Sequence, residues 1–205
     1  MDTEKRIIRF VPNALTVLRM VLTVIFLVML LMAGRMEDDK PAMFLTIAFV
    51  LFVVAALTDI IDGKVARKYN VTSKFGRLVD PLADKILVCG AFICFALSAQ
   101  PKLANFQLAD GWLQLIRWGM AAILTARELT VTIIRHLAES RGVNFGAVWS
   151  GKIKMFVQSF GIGTVVTGWA YVSREWGDWF TIITLAIVVA LTVISGIKSF
   201  RRPIK

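Results

Sequence analysis

The chain reads as an all-α integral membrane protein: six transmembrane helices, a short N-terminal amphipathic segment, and both termini in the cytoplasm. Three observations lead there. Hydrophobic residues make up 57% of the 205 positions and mean hydropathy is +0.70, outside the range of soluble domains. The apolar residues form six continuous runs, each near or above the roughly 20 residues a spanning helix needs. A membrane barrel would instead show short alternating strands. Finally, Lys and Arg concentrate in every second connection, the asymmetry that orients a multi-span chain.

The spans run 13–33, 41–67, 77–99, 112–138, 152–172 and 178–199. In the first, Lys5, Arg6 and Arg9 precede an apolar run from Ala14 to Ala33, too long for a signal-peptide core and without a small-residue cleavage site. Residues 2–11 suit either an amphipathic helix on the inner surface or a disordered tail. The second span is uncharged from Pro41 to Thr58 and then turns acidic. The third contains both cysteines, Cys89 and Cys94, which read as small buried hydrophobes and not as a disulfide framework. The fourth ends near His136, a solvated interfacial side chain. Gly161, Gly163 and Gly168 in the fifth allow close helix approach. The sixth is generic. No polar linker divides the chain, so residues 1–205 are expected to form one membrane domain, with 1–11 as a juxtamembrane segment.

Arg67, Lys68, Lys74 and Arg77 flank the second connection, and Arg135, Arg141, Lys152 and Lys154 the fourth. Lys198, Arg201, Arg202 and Lys205 close the chain. The remaining connections hold Arg35 and Lys40, then Lys102, then Arg174. The net charge of +10 therefore serves orientation and anionic headgroups, and no nucleic-acid partner is expected. Trp112, Trp169, Trp176 and Trp179 fall near the outer interface and Trp149 near the inner one.

Against this apolar background stand four aspartates, Asp59, Asp62, Asp80 and Asp84. Each costs roughly 2.5–3.5 kcal/mol near a bilayer on insertion scales. Asp59, Asp62, Gly63 and Ala66 share one face of the second helix, and Gly76, Asp80 and Asp84 one face of the third. A short connection makes the two helices antiparallel neighbours. With the second descending toward the cytoplasm, Asp59 lies about 4.5 Å deeper than Asp62, and Asp84 about 6 Å deeper than Asp80. The pairs can face each other at matching depths. Four carboxylates around one cavity suit hard cations such as Mg²⁺ or Mn²⁺, and two divalent ions would balance their charge. Such a pair stabilises the attacking and leaving oxygens of a phosphoryl displacement. Gly63 and Gly76 leave room for a ligand, and Arg67 can grip a phosphate. A charge network with Arg19, Lys64 and Lys85, or a divalent-ion transporter, would also use buried carboxylates. Neither accounts for Gly63, Ala66, Arg67 and Gly76.

The run from Asp59, D-x2-D-G-x2-A-R-x8-G-x3-D-x3-D, resembles the signature of the CDP-alcohol phosphotransferase family at all eight specified positions. The resemblance implies a homodimer of six-helix subunits in the bacterial cytoplasmic (inner) membrane, with a two-metal site facing the cytoplasm. It implies transfer of a phosphatidyl group from CDP-diacylglycerol to an alcohol, with release of CMP. Carried over, Asp59, Asp62, Asp80 and Asp84 are metal ligands and Asp84 is the general base; Asp59, Gly63, Arg67 and Ser73 contact the CDP part. Membrane embedding suits a donor whose acyl chains remain in lipid. Asn13 and Thr16 either bond the nucleotide end or cap the first helix.

Residues 12–19, PNALTVLR, and 126–154, ARELTVTIIRHLAESRGVNFGAVWSGKIK, are similar to the branch of that family whose acceptor is sn-glycerol 3-phosphate. The charges agree. Arg127 and Arg135, eight apart on one helix face, and Lys152 and Lys154 at the start of the fifth span would form a basic pocket for a small phosphate. Positive-inside anchoring would also place cations here, and it fits Lys154 better than Arg127. Glu128 is a candidate to orient an arginine. Inositol phosphate, serine or phosphatidylglycerol are the alternative acceptors; serine carries no phosphate for such a pocket.

Overall fold

The structure, a computed structural model, describes residues 2–36, 41–69, 74–140, 149–172 and 174–200. At positions 2–12, 41, 59–69, 74–78, 80–81, 135–136, 138–140, 149–152 and 199–200 only the backbone is described. Six α-helices follow one another: α1 (Asp2–Ala33), α2 (Pro41–Tyr69), α3 (Lys74–Leu97), α4 (Asp110–Ser140), α5 (Trp149–Tyr171) and α6 (Glu175–Phe200), with a 3₁₀ turn at Ala104–Phe106. No strand occurs among the described residues. Each apolar run thus lies in one helix. Residues 2–11 take the helical alternative and continue unbroken into α1.

The third helix ends at Leu97, two residues short of the expected boundary. The reason is local. Ala99 adopts a left-handed conformation with φ 54°. Its N–H donates to Ala96 O at 3.3 Å, and the N–H of Gln100 donates to Phe95 O at 2.8 Å. These paired bonds satisfy the last carbonyls and stop the helix.

Two segments among the described residues, Asn13–Ala33 and Glu175–Lys198, are long and apolar enough to cross a membrane; Ala42–Thr58 is a shorter apolar stretch. The distribution of polarity agrees with a lipid environment. In α1 the buried positions Thr16, Arg19, Thr23, Phe26, Leu30 and Ala33 recur at heptad spacing. Among the described side chains of α1, the exposed ones, which include Val17, Leu18, Val21, Val24, Ile25 and Val28, are all apolar. A soluble helix has the opposite arrangement.

The chain divides into two compact units, Met1–Cys94 and Phe95–Lys205. In the first, α1 packs along α2. Leu45, Ala48, Phe52 and Ala55 form the buried seam of α2, and the rings of Phe26 and Phe52 meet at 5.3 Å. Gly90 lets α3 approach α1 closely: a Cβ there would lie 2.7 Å from Leu27 Cδ1. Cys94, at the end of this unit, directs its thiol toward Leu27 O at 3.8 Å.

In the second unit α4 and α5 each pack against α6. The connection before α4 is fixed by polar contacts. Arg117 donates from Nε and Nη2 to Pro101 O at 3.0 and 2.8 Å. Asn105 donates from its backbone N–H and its amide to the Asp178 carboxylate at 3.1 and 2.8 Å. Phe106 stands edge-on to Trp179 at 4.9 Å. Toward the other end, the buried side of this unit is polar again: Glu128, Lys154, Gln158, Thr192 and Ser195.

Candidate active site

The residues singled out by sequence fall into one group in each unit. In the first, Asp59, Asp62, Gly63 and Arg67 lie on the last three turns of α2, and Asp80 and Asp84 on α3. Both segments are continuous helix, so the spacings that put the aspartates on one face of each hold for the backbone. The side chains of Asp59, Asp62, Gly63, Arg67 and Asp80, and all of Ser73, lie outside the described residues. Asp84 is described and half-buried. Asn13 is half-buried and Thr16 buried, both on α1, with Arg19 one turn on from Thr16 and 1% exposed.

No three His, Cys, Asp or Glu side chains gather as metal ligands among the described residues. The donor chemistry still fits a metal. The four side chains offered by the two helix faces are all carboxylates, the oxygen donors that hard divalent cations take, with no sulfur or imidazole among them.

The second group is built from α4, α5 and α6. Glu128 is 8% exposed, and so is Lys154. Lys154 Nζ donates to Glu128 Oε1. Arg127 Nη1 donates to the same oxygen at 3.0 Å. The other terminal nitrogen of Arg127, Nη2, donates to Ser195 Oγ at 2.8 Å. Gln158, 1% exposed, donates to Thr192 Oγ1 at 3.3 Å. Arg127 Nε is buried and has no hydrogen-bond partner among the described residues.

Local geometry explains why these groups meet. Thr132 Oγ1 turns back to Glu128 O at 2.7 Å and Thr130 Oγ1 to Ala126 O at 2.7 Å, so the hydroxyls of this stretch serve their own helix. Arg127 and Glu128 are consecutive and would ordinarily diverge on a helix. They converge because Arg127 lies across α6 at Gly196, where a Cβ would stand 3.2 Å from Arg127 Cγ.

The cluster has a chemical consequence. Arg127, part-buried, and Lys154, buried, meet at the Glu128 carboxylate. Clustered cations favour a bound anion, and a guanidinium whose buried Nε–H has no partner among the described residues is a suitable donor to phosphate. Of the four basic residues expected to form a pocket, the structure brings Arg127 and Lys154 together through Glu128. Arg135 and Lys152 are placed on α4 and α5 by their backbone alone, their side chains lying outside the described residues. Gln158, Thr192, Ser195 and Gly196 were not expected. Their signal was present: Thr181, Thr184, Thr192 and Ser195 are the hydroxyl residues of one face of the sixth span, an anomaly in so apolar a helix.

Comparisons with known proteins bear on both groups. The family model described as CDP-alcohol phosphatidyltransferase matches residues 9–194. A protein of Mycobacterium tuberculosis named probable phosphatidylglycerophosphate synthase is 32% identical over 196 residues, covering 94% of this chain and 81% of the relative. A Bacillus subtilis protein named CDP-diacylglycerol–glycerol-3-phosphate 3-phosphatidyltransferase is 31% identical over 80% of this chain and 94% of its own length. A Rickettsia felis protein of the same name is 30% identical, with 96% of each chain covered. The match runs through the aspartate helices and the Arg127–Lys154 cluster alike, and the chain belongs to the CDP-alcohol phosphatidyltransferase family.

Proposed function

We propose that this enzyme transfers the phosphatidyl group of CDP-diacylglycerol to sn-glycerol 3-phosphate, giving phosphatidylglycerophosphate and CMP. Relatives named for that reaction, alike over most of their length, support it. The observation that carries the choice of acceptor is the cluster in which Arg127 and Lys154 meet at Glu128 and Arg127 Nε has no partner among the described residues. Serine has no phosphate to satisfy it.

The roles follow from residue chemistry. Asp59, Asp62, Asp80 and Asp84 would hold two divalent ions, Mg²⁺ or Mn²⁺. When bound, these ions supply positive charge to the diphosphate and to the charge that develops as the bond to CMP breaks. Asp84 takes the proton from the acceptor hydroxyl as that oxygen attacks the β-phosphorus. Gly63 leaves space for the cytidine diphosphate beside α2, while Arg67 and Ser73 bond its phosphates, and Asn13 and Thr16 the nucleotide end. Arg127 and Lys154, with Arg135 and Lys152, bind the acceptor phosphate.

All six helices span the bacterial cytoplasmic membrane in this reading, with both termini and the active site on the cytoplasmic side and two copies forming a dimer. The basic connections support that orientation, and the apolar exposed faces support lipid contact. The family match spans both compact units, which supports one functional domain.

The test is an assay of purified protein with CDP-diacylglycerol, radiolabelled glycerol 3-phosphate and Mg²⁺. Labelled phosphatidylglycerophosphate and stoichiometric CMP are expected. Absence of labelled lipid with this acceptor, alongside CMP release with inositol phosphate or phosphatidylglycerol, would reassign the acceptor. Ion flux in proteoliposomes without CMP release would indicate a transporter instead.

A further inference from the structure

We infer that Ser195 and Gly196 of α6 are positioning residues for the acceptor phosphate, acting through Arg127. The inference rests on the assignment of Arg127 to that phosphate. Both residues lie just beyond residues 9–194, the segment that the family model matches.

An arginine binds phosphate well only when it is held still. A guanidinium stem carries several torsions, and its worth in phosphate binding depends on the fork being fixed beforehand. Arg127 is anchored to Glu128 Oε1 at 3.0 Å and to Ser195 Oγ at 2.8 Å. The first anchor is shared with Lys154 and belongs to the next residue on the same helix, so it does not by itself tie Arg127 to a neighbouring element. Ser195 supplies that tie from α6, and it is buried at 6% exposure. Gly196 completes the seat. The stem of Arg127 occupies the space beside the position where any other residue would carry its Cβ, 3.2 Å from Arg127 Cγ and 3.8 Å from Nε. With one N–H of each terminal nitrogen engaged and the stem laid against α6, Nε is the buried nitrogen of Arg127 that has no partner among the described residues. Ser195 and Gly196 therefore set where the anion-binding edge of the guanidinium sits. A helix needing only apolar filling at this position would have no use for a hydroxyl followed by a residue without a side chain.

Steady-state kinetics of the full chain in detergent or nanodiscs test this, with CDP-diacylglycerol and glycerol 3-phosphate varied in turn. Ser195→Ala should raise the KM for glycerol 3-phosphate about tenfold, the change expected when one hydrogen bond to a charged group is lost. The KM for CDP-diacylglycerol should stay within about twofold. Ser195→Thr, which keeps the hydroxyl, should restore most of the acceptor KM, and Gly196→Ala should raise it as Ser195→Ala does. Alanine is the strongest helix former, so neither alanine variant weakens α6 by propensity. Arg127→Lys, which keeps the charge and loses the fork, serves as the control for the site itself. If Arg127→Lys raises the acceptor KM while Ser195→Ala and Gly196→Ala leave it unchanged, the positioning role is wrong and the acceptor site stands. If Arg127→Lys also leaves it unchanged, the acceptor site is wrong and the positioning role falls with it. Equal rises in both KM values for Ser195→Ala, or failure of Ser195→Thr to restore the acceptor KM, would show packing and not positioning.

Discussion

Replacing Glu128 by Gln removes the only carboxylate among the described residues of a buried basic cluster while keeping its shape. Glu128 accepts from Lys154 Nζ and from Arg127 Nη1 at 3.0 Å. Its side chain is 11% exposed and that of Lys154 9%, so water screens the pair little. Removing one member of a buried ion pair costs roughly 3–5 kcal/mol, because the other charge is stranded. Glutamine still offers an amide oxygen, which puts the expected loss near the lower end. For a chain of this size each kcal/mol moves the thermal midpoint by about 2–4 °C, giving a fall of about 6–12 °C. The distinguishing readout is its reversal. An anion placed among the same cations replaces the lost charge, so saturating glycerol 3-phosphate should raise the midpoint at least twice as much in Glu128→Gln as in the unmodified protein. Thermal unfolding in detergent, with and without glycerol 3-phosphate and with glycerol as the uncharged control, measures both. An unchanged midpoint would refute the buried-pair energetics. Equal stabilisation of both proteins by glycerol 3-phosphate would refute the placement of its phosphate in this cluster.

Further predictions concern the reaction itself. Asp84→Asn should abolish turnover while CDP-diacylglycerol binding remains measurable, and near-normal turnover would contradict Asp84 as the base. Removal of divalent ions by chelation should lower activity more than about 100-fold, with recovery on adding Mg²⁺ or Mn²⁺; full activity after exhaustive chelation would end the metal reading. The double variant Arg135→Ala and Lys152→Ala should raise the acceptor KM far more than the donor KM, and equal effects would mark these residues as membrane anchors.

Much of the fold is legible in the sequence because long apolar runs make helices, and two of them, Asn13–Ala33 and Glu175–Lys198, reach the roughly 20 residues that a spanning helix needs. All six runs appear as helices, and the differences sit at ends, where local hydrogen bonding decides. The third helix stops at Leu97 because the left-handed Ala99 closes it, and nothing in the composition of 97–100 announces an alanine in that conformation. The aspartates are legible for the same reason that lipid makes helices legible. A carboxylate near a bilayer is costly enough that four of them at helical spacing demand a chemical reason. The basic cluster around Glu128 is only half legible. Arg127 and Lys154 stand out as charges, but the partner that links them depends on which way Arg127 turns from α4. Ser195 is harder still, because a lone serine in a membrane helix commonly bonds its own backbone, as Thr164 does to Phe160 O at 3.0 Å and Thr167 to Gly163 O at 2.7 Å.

What separates Ser195 from those threonines is the face it occupies. Thr164 and Thr167 lie on α5 away from the buried seam and satisfy themselves within one turn, as a hydroxyl on a lipid-facing side must. On α6, Thr181, Thr184, Thr192 and Ser195 line the buried side, while Ile183, Ile187, Val193, Ile194 and Ile197 are exposed. Between helices in lipid there is little hydrophobic gain from burying a side chain, since the acyl chains are as apolar as the protein. Polar contacts and small residues hold such helices together instead. The Gln158–Thr192 and Arg127–Ser195 bonds, with the close approach at Gly196, are therefore the contacts that fix α6 against α5 and α4. The same contacts fix the cations. A helix held by the residues that shape the proposed anion site cannot shift without reshaping it, and if the proposal holds, substitutions on the polar side of α6 should be felt in acceptor binding before those on the apolar side.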